Sequence, residues 1–300
     1  MPPKYVYAGY SKCGTKSIAE AFRILGYTVH DWEESVVDCG ETWLKFHQHK
    51  TGQTREEKLD ILREGLKDFD VFTDMPGHFF WKEILDAFPE CKVIFYERPE
   101  DEWYASWVKQ VQSMYKLPMP NDWIRNVIST LLYPKVREMM IGEESLAMIN
   151  GYPCYPLKNR KGEWYPVDET FIKRIYRRHN SDVLRNCPPE KLLNLSSINC
   201  GWKEICDFTG DEIPSQSWPH RNKNAAITEE IFTNKQSRLQ KAISEESRAN
   251  LRAYAVSFAR ICVVVVVGKE VLRHRVELLD GVTKIGEMIA AIPIAGQPEC

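Results

Sequence analysis

The chain has 300 residues, enough for one large α/β domain or two small ones, and 43% of them are apolar, which supports a real core. A formal net charge of −2 gives no basic excess that would point to nucleic acid as a partner. The opening Met1–Tyr10 lacks the charged lead and apolar core of a secretory signal. Nine scattered cysteines, with no CxxC pair and no zinc spacing, fit reduced thiols and a cytoplasmic protein better than a disulfide framework.

In chain order the pattern alternates. Residues 4–9 are a short β-rich run ending at Gly9. Gly14–Leu25 has helical spacing, with Ile18, Ala21, Phe22 and Leu25 on one face and Gly26 as a stop. Tyr27–Trp32 reads as a second strand, 36–49 and 54–68 as helices, and Asp70–Met75 as a third strand. His78–Phe88 is a helix closed by Pro89, and Cys91–Glu97 has the apolar, β-rich character of a buried central strand. Helix resumes near Glu100 and again over 169–186; Leu192–Ser196 is a short strand and 200–209 a helix. Such alternation implies a three-layer α/β fold with a central parallel sheet, whose ligands bind beyond the carboxyl ends of the strands. Residues 1–227 form the expected domain. Within it, 150–166, rich in Pro, Gly and aromatic residues, reads as an insertion loop over the site. Residues 228–300 read as a C-terminal helical, apolar extension.

The segment Gly9-Tyr10-Ser11-Lys12-Cys13-Gly14-Thr15-Lys16-Ser17 joins a strand to a helix. Unpaired N–H groups at a helix N-terminus carry partial positive charge, so a loop wrapped there is an anion site. The glycines have the spacing of the nucleotide pattern GxxxxGK[ST], but Thr15 stands where its Lys belongs and Lys16 and Ser17 are shifted by one. A helix turns about 100° per residue, so Lys16 need not face a phosphate, and Lys12 becomes the better cation. An ordinary capped turn is the competing reading.

The string SKCGTKS resembles the 5′-phosphosulfate loop of sulfotransferases. Further strings resemble the branch that includes the flatworm drug-activating enzyme: Gly14-Thr15-Lys16-Ser17 with Leu25-Gly26, Tyr27 to His30, Thr73-Asp74-Met75-Pro76, Lys191-Leu192-Leu193, Gly201 to Phe208, and Pro219-His220-Arg221-Asn222. The resemblance covers about residues 4–224. Ser11 departs from it by replacing the loop proline, which removes a residue that pre-sets φ. The resemblance implies a co-substrate, 3′-phosphoadenylyl sulfate, held by Lys12, Cys13, Gly14, Thr15, Lys16 and Ser17, with Arg98 and Ser106 on its 3′-phosphate. The planar donor fork of Arg suits a phosphate. It also implies a small-molecule acceptor.

By analogy with phosphoryl transfer, Lys12 meets the charge that builds as the sulfuryl group leaves. Asp74, at a strand end, is the candidate base, a role that the resemblance supports; capping the turn before Pro76 is the bland alternative. Enclosure by Phe79, Phe80 and Trp81 is expected to raise its pKa. His30, Trp32, Phe79 and Trp81 are assigned to the acceptor pocket, with His30 also a second candidate base or simply a packed histidine. Arg177, Arg178 and His179 read as a solvated helix face, although the family often has His-Asn at 179–180. No carboxylate cluster or HExxH string argues for a metal. A P-loop kinase or NTPase and an inactive nucleotide-binding scaffold stay open as alternatives.

The tail carries an apolar stretch, 253–267, broken by Arg260 and flanked by Arg248, Arg252, Lys269, Arg273 and Arg275. A span needs about 20 apolar residues, so a buried helix, membrane-surface contact through 248–275 and a short tail anchor all compete. The valine run 263–267 is an aggregation hazard in the open and is expected to be covered.

Overall fold

A computed structural model of the chain describes residues 3–48, 53–116, 123–149, 168–199, 201–220 and 226–290. The expected insertion at 150–166 lies outside them. Five strands, β1 (Tyr5–Tyr7), β2 (Val29–His30), β3 (Val71–Phe72), β4 (Lys92–Phe95) and β5 (Leu192–Asn194), form one sheet in the order β2-β3-β1-β4-β5. Every pairing is parallel, with Tyr5 opposite both Val71 and Lys92. From β1 the chain passes to the edge strand β2, returns to β3 beside β1, then crosses to β4 and β5 on the other side.

The helices follow the expected alternation. They are α1 (Thr15–Ile24), α2 (Trp32–Val37), α3 (Gly40–His47), α4 (Arg55–Leu66), α5 (Trp81–Ala87), α6 (Glu100–Lys116), α7 (Trp123–Leu132), α8 (Pro134–Ile149), α9 (Glu169–Asn186), α10 (Trp202–Thr209), α11 (Ala226–Thr233) and α12 (Arg238–Ala290). The helix expected over 36–49 is two helices. Asp31 and Glu34 form a capping box that starts α2 earlier, and α3 begins anew after Cys39.

Strand side chains alternate between two cores, as a period of two requires. Val6, Ala8, Val93 and Phe95 join Trp43, Leu59, Leu62, Ile84 and Val183. Tyr5, Tyr7 and Ile94 join Ile18, Phe22, Ile205 and Cys206. Helices therefore cover both faces, which is the three-layer α/β architecture. Cys13, Cys91, Cys187 and Cys206 are buried thiols outside any disulfide.

The chain divides into Met1–Ser247, which holds the sheet, and Arg248–Cys300, whose described part is helical. Ile231 and Leu239 belong to the first unit because they bury against Val36 and Met139. In the second unit the valine run is not covered: Val263 to Val267 are each at least half exposed. This corrects the expectation of burial, because along 253–267 every residue faces outward.

Candidate functional site

The loop between β1 and α1 lies at the carboxyl end of the central strand. Lys12 (φ 75°) and Gly14 (φ 87°) both take left-handed backbone, which folds the loop back over the start of α1. Gly14 is the N-cap and offers no side chain to the helix's first N–H groups. A Cβ at Gly14 would lie 2.2 Å from Ile198 Cγ1. Gly14→Ala is therefore expected to cost about 1–3 kcal/mol through strain and overlap. The added substitution Ile198→Ala removes the clash but not the φ strain, so thermal denaturation should show a partial recovery.

The loop rests on aromatic side chains. Tyr10 packs edge-on against Trp103, Tyr176, Phe79, His78 and His179. Trp103 stacks on Tyr176 with centroids 4.1 Å apart and donates its indole N–H to the Ser11 carbonyl at 2.8 Å. Cys13 is enclosed on all sides. Its amide donates to Tyr10 O, its carbonyl accepts from Tyr7 Oη, and its thiol lies 3.5 Å from Tyr176 Oη. Burial pushes that thiol up to about 11. The Cys13 side chain thus shapes the loop from behind. Ser17 is likewise buried, with its amide bonded to Gly14 O.

Three cations surround the loop. Lys12 Nζ donates to Gln110 Oε1 on α6 at 2.8 Å. Arg98, just past β4, donates to the Lys12 carbonyl at 3.2 Å and lies 3.6 Å from Glu102. Glu102, Ser106 and Gln110 follow one another at i, i+4 spacing, so Ser106 falls on the α6 stripe between the groups that meet Arg98 and Lys12. Lys16 turns the other way, 2.7 Å from Asp31 Oδ1 and 3.5 Å from Asp74 Oδ2. The two lysines titrate in opposite directions. Burial, aided by the like charges of Lys16 and Arg98 and opposed by Asp74, lowers Lys12 to about 8. Burial also works against charged Lys16, but Asp31 and Asp74 outweigh it and raise its pKa.

Asp74 follows β3 with φ 62°, a backbone that Asp tolerates better than most residues. Its Oδ1 accepts from Ser11 Oγ at 2.9 Å and from the Met75 amide at 3.0 Å. Its Oδ2 accepts from Thr15 Oγ1 at 3.1 Å and faces Lys16. Burial tends to raise this carboxyl, but Lys16, His78, Ser11 and the Met75 amide together lower it. The expected upward shift is thus corrected: burial desolvates Asp74, and its donors outweigh that burial.

The acceptor-side assignments divide. Phe79 belongs to the cluster around Tyr10. Trp81 is buried in the sheet core with Trp43 and Ile84, and Trp32 packs against Phe232 and its neighbours. His30 is fully buried among Trp43, Phe69 and Phe72, where its Nε2 accepts from Trp43 Nε1 at 3.3 Å. Burial lowers it to about 3, so it is a neutral core histidine. Of these four, only Phe79 lies beside the loop.

Sequence reasoning missed the brace supplied by α9. Arg177 and Arg178 are exposed, but His179 turns inward and bonds the Ala8 carbonyl through Nε2 at 2.7 Å. Burial lowers it to about 4; a neutral ring bonded to a carbonyl must carry its proton on that nitrogen. Asn180 donates to Glu97 at 3.1 Å, and Tyr176 donates to the Arg98 carbonyl at 2.7 Å. His78, also unassigned from sequence, is fully buried, and neither ring nitrogen has a hydrogen-bond partner among the described residues. The His-Asn pair at 179–180 was the one signal that could have marked α9.

A protein from Aspergillus versicolor named Ava biosynthesis cluster protein M is 25% identical over 234 residues, 72% of this chain and 80% of that protein. A crystal structure of a sulfotransferase from Alicyclobacillus acidocaldarius aligns over 81% of this chain and 96% of its own, at 13% identity and a TM-score of 0.33. The sulfotransferase domain family matches residues 4–227. That match takes in the sheet, the loop, Asp74, Arg98 and α9, and the chain belongs to the sulfotransferase domain family.

Proposed function

We propose that the protein transfers a sulfuryl group from 3′-phosphoadenylyl sulfate to a hydroxyl or amine of a small acceptor. The observation that carries this reading is the meeting, at one loop, of a part-buried cation, Lys12, whose pKa is lowered to about 8, and a carboxylate, Asp74, whose pKa is lowered by its donors. Within the family, we place the chain in the branch resembling the flatworm drug-activating enzyme, on the order and spacing of its short strings.

In this reading the 5′-phosphosulfate lies against the first turn of α1, with Lys12 and Thr15 beside it. Arg98 and Ser106 take the 3′-phosphate. The acceptor oxygen gives its proton to Asp74 and forms the new O–S bond as the bond from sulfur to the donor's bridging oxygen breaks. Lys12 meets the charge left on that bridging oxygen. Thr15 stands where the nucleotide pattern has its Lys, and Lys16 is bound to carboxylates, which together weigh against the NTPase reading. Residues 1–227 are proposed as the catalytic domain and the exposed apolar part of α12 as a membrane-surface contact.

The test is calorimetric titration with adenosine 3′,5′-bisphosphate, with ATP and ADP as comparators and no magnesium. Preferential binding of the bisphosphate supports the reading; magnesium-dependent preference for ATP overturns it. Arg98→Ala should weaken bisphosphate binding by about 10- to 100-fold, the loss of a charge-assisted hydrogen bond. Unchanged affinity would remove Arg98 from the donor site.

A further inference from the structure

Lys16 stands within the loop motif that the donor reading invokes, yet its ammonium meets the carboxylates of Asp31 and Asp74. It lies between two carboxylates, and all three side chains are close to buried: 14% exposed for Lys16, 6% for Asp31 and 13% for Asp74. Asp31 cannot follow a moving lysine. It caps α2, accepting from the Trp32 amide at 2.9 Å, while Glu34 returns a bond to the Asp31 amide at 3.1 Å. Lys16 is therefore held from the α2 side at 2.7 Å and presented to Asp74 at 3.5 Å.

We propose that Lys16, gripped by Asp31, is a positioning residue for Asp74 and does not hold the donor's phosphosulfate. Asp31 is the anchor, and α2 is the element that sets the base. The inference rests on the sulfotransferase reading for its consequence, though its geometry is independent of it. Without the ammonium, Asp31 and Asp74 would face each other as like charges, and one would retain a proton to higher pH. The titratable groups facing Lys16 and Asp74 include Lys12 and Tyr7 from β1 and the loop, His30 from β2, Glu34 from α2 and His78 beyond β3. Of the groups just named, Lys12 is the other lysine, and it is committed toward Gln110, while Arg23 and Arg238 reach Glu34.

Two readouts on the whole chain test this. The first is carbon-13 NMR titration of the Asp74 carboxyl, which needs neither donor nor turnover. In Lys16→Met its midpoint should rise by about one pH unit or more, and Lys16→Arg should restore it. If Lys16→Met does not fold, Lys16→Gln carries the same expectation. The second is bisphosphate affinity, which should change by less than about threefold in the variant, since no phosphate contact is lost. An unmoved Asp74 midpoint, or a loss of affinity above about tenfold, overturns the proposal. If the unaltered chain fails to bind bisphosphate, the donor reading falls, and the Asp74 titration still decides the role of Lys16.

Discussion

Asp74→Asn should lower turnover by about a thousandfold, inside the range that a positioned base contributes, and leave bisphosphate binding within a few-fold. Asn accepts left-handed backbone as readily as Asp, so φ 62° is no obstacle. The hydroxyls of Ser11 and Thr15 can rotate to meet the amide, and Lys16 keeps its 2.7 Å contact with Asp31. The fold and the loop should therefore survive while the proton acceptor is lost. Steady-state kinetics with any acceptor that turns over, together with calorimetry, gives both numbers. Turnover within about tenfold of the unaltered chain would falsify the assignment of Asp74 as base.

Lys12→Ala should reduce turnover by about 10²- to 10³-fold, the scale of removing one donor from a developing negative charge. Bisphosphate affinity should fall by less than about tenfold, because Arg98 and the helix terminus remain. The same residue predicts a pH dependence. Only the ammonium form attracts an anion, and the free protein holds Lys12 at about 8. Above about pH 7, where the ligand's phosphates (second pKa about 6) are ionised, affinity should hold until about 8 and decline as pH rises through that value, by no more than about tenfold. In Lys12→Ala this step should vanish. A profile flat across pH 7–9 in the unaltered chain would show that Lys12 stays with Gln110 and takes no part.

The fold was readable because its signals are local. Tyr5–Tyr7 and Lys92–Phe95 are apolar and β-rich, and glycine punctuates the loop and the end of α1. The places of Asp74 and Arg98 follow from lying two and three residues past the buried strands β3 and β4. What escaped depends on side chains far apart in the chain. His179 meets Ala8 across 171 residues, and nothing local distinguishes it from Arg177 and Arg178 beside it. The sequence puts Lys16 off the nucleotide pattern, but its destination depends on how α2 is capped. The direction of the Asp74 shift failed for a related reason: aromatic neighbours are visible in the string, whereas the donors Ser11, Thr15 and Lys16 gather only in three dimensions. His30 and Trp81 show the converse. Each sits at a strand or helix end, yet burial in the sheet core takes its side chain away from the loop.

The order β2-β3-β1-β4-β5 sets a division of labour. Asp74 and the Asp31–Lys16 pair belong to the β2–β3 side, Arg98 and α6 to the β4 side, and the loop from β1 divides them. On the proposed reading, proton removal and donor recognition occupy opposite halves of the sheet. Substitutions in the two halves should then combine additively where they share no partner; Asp74, bonded to Ser11 and Thr15 of the loop, is the point of coupling. A library confined to the β2–β3 half could alter the accepted molecule while the nucleotide requirement stays fixed, which makes this chain a scaffold whose two specificities can be engineered one at a time.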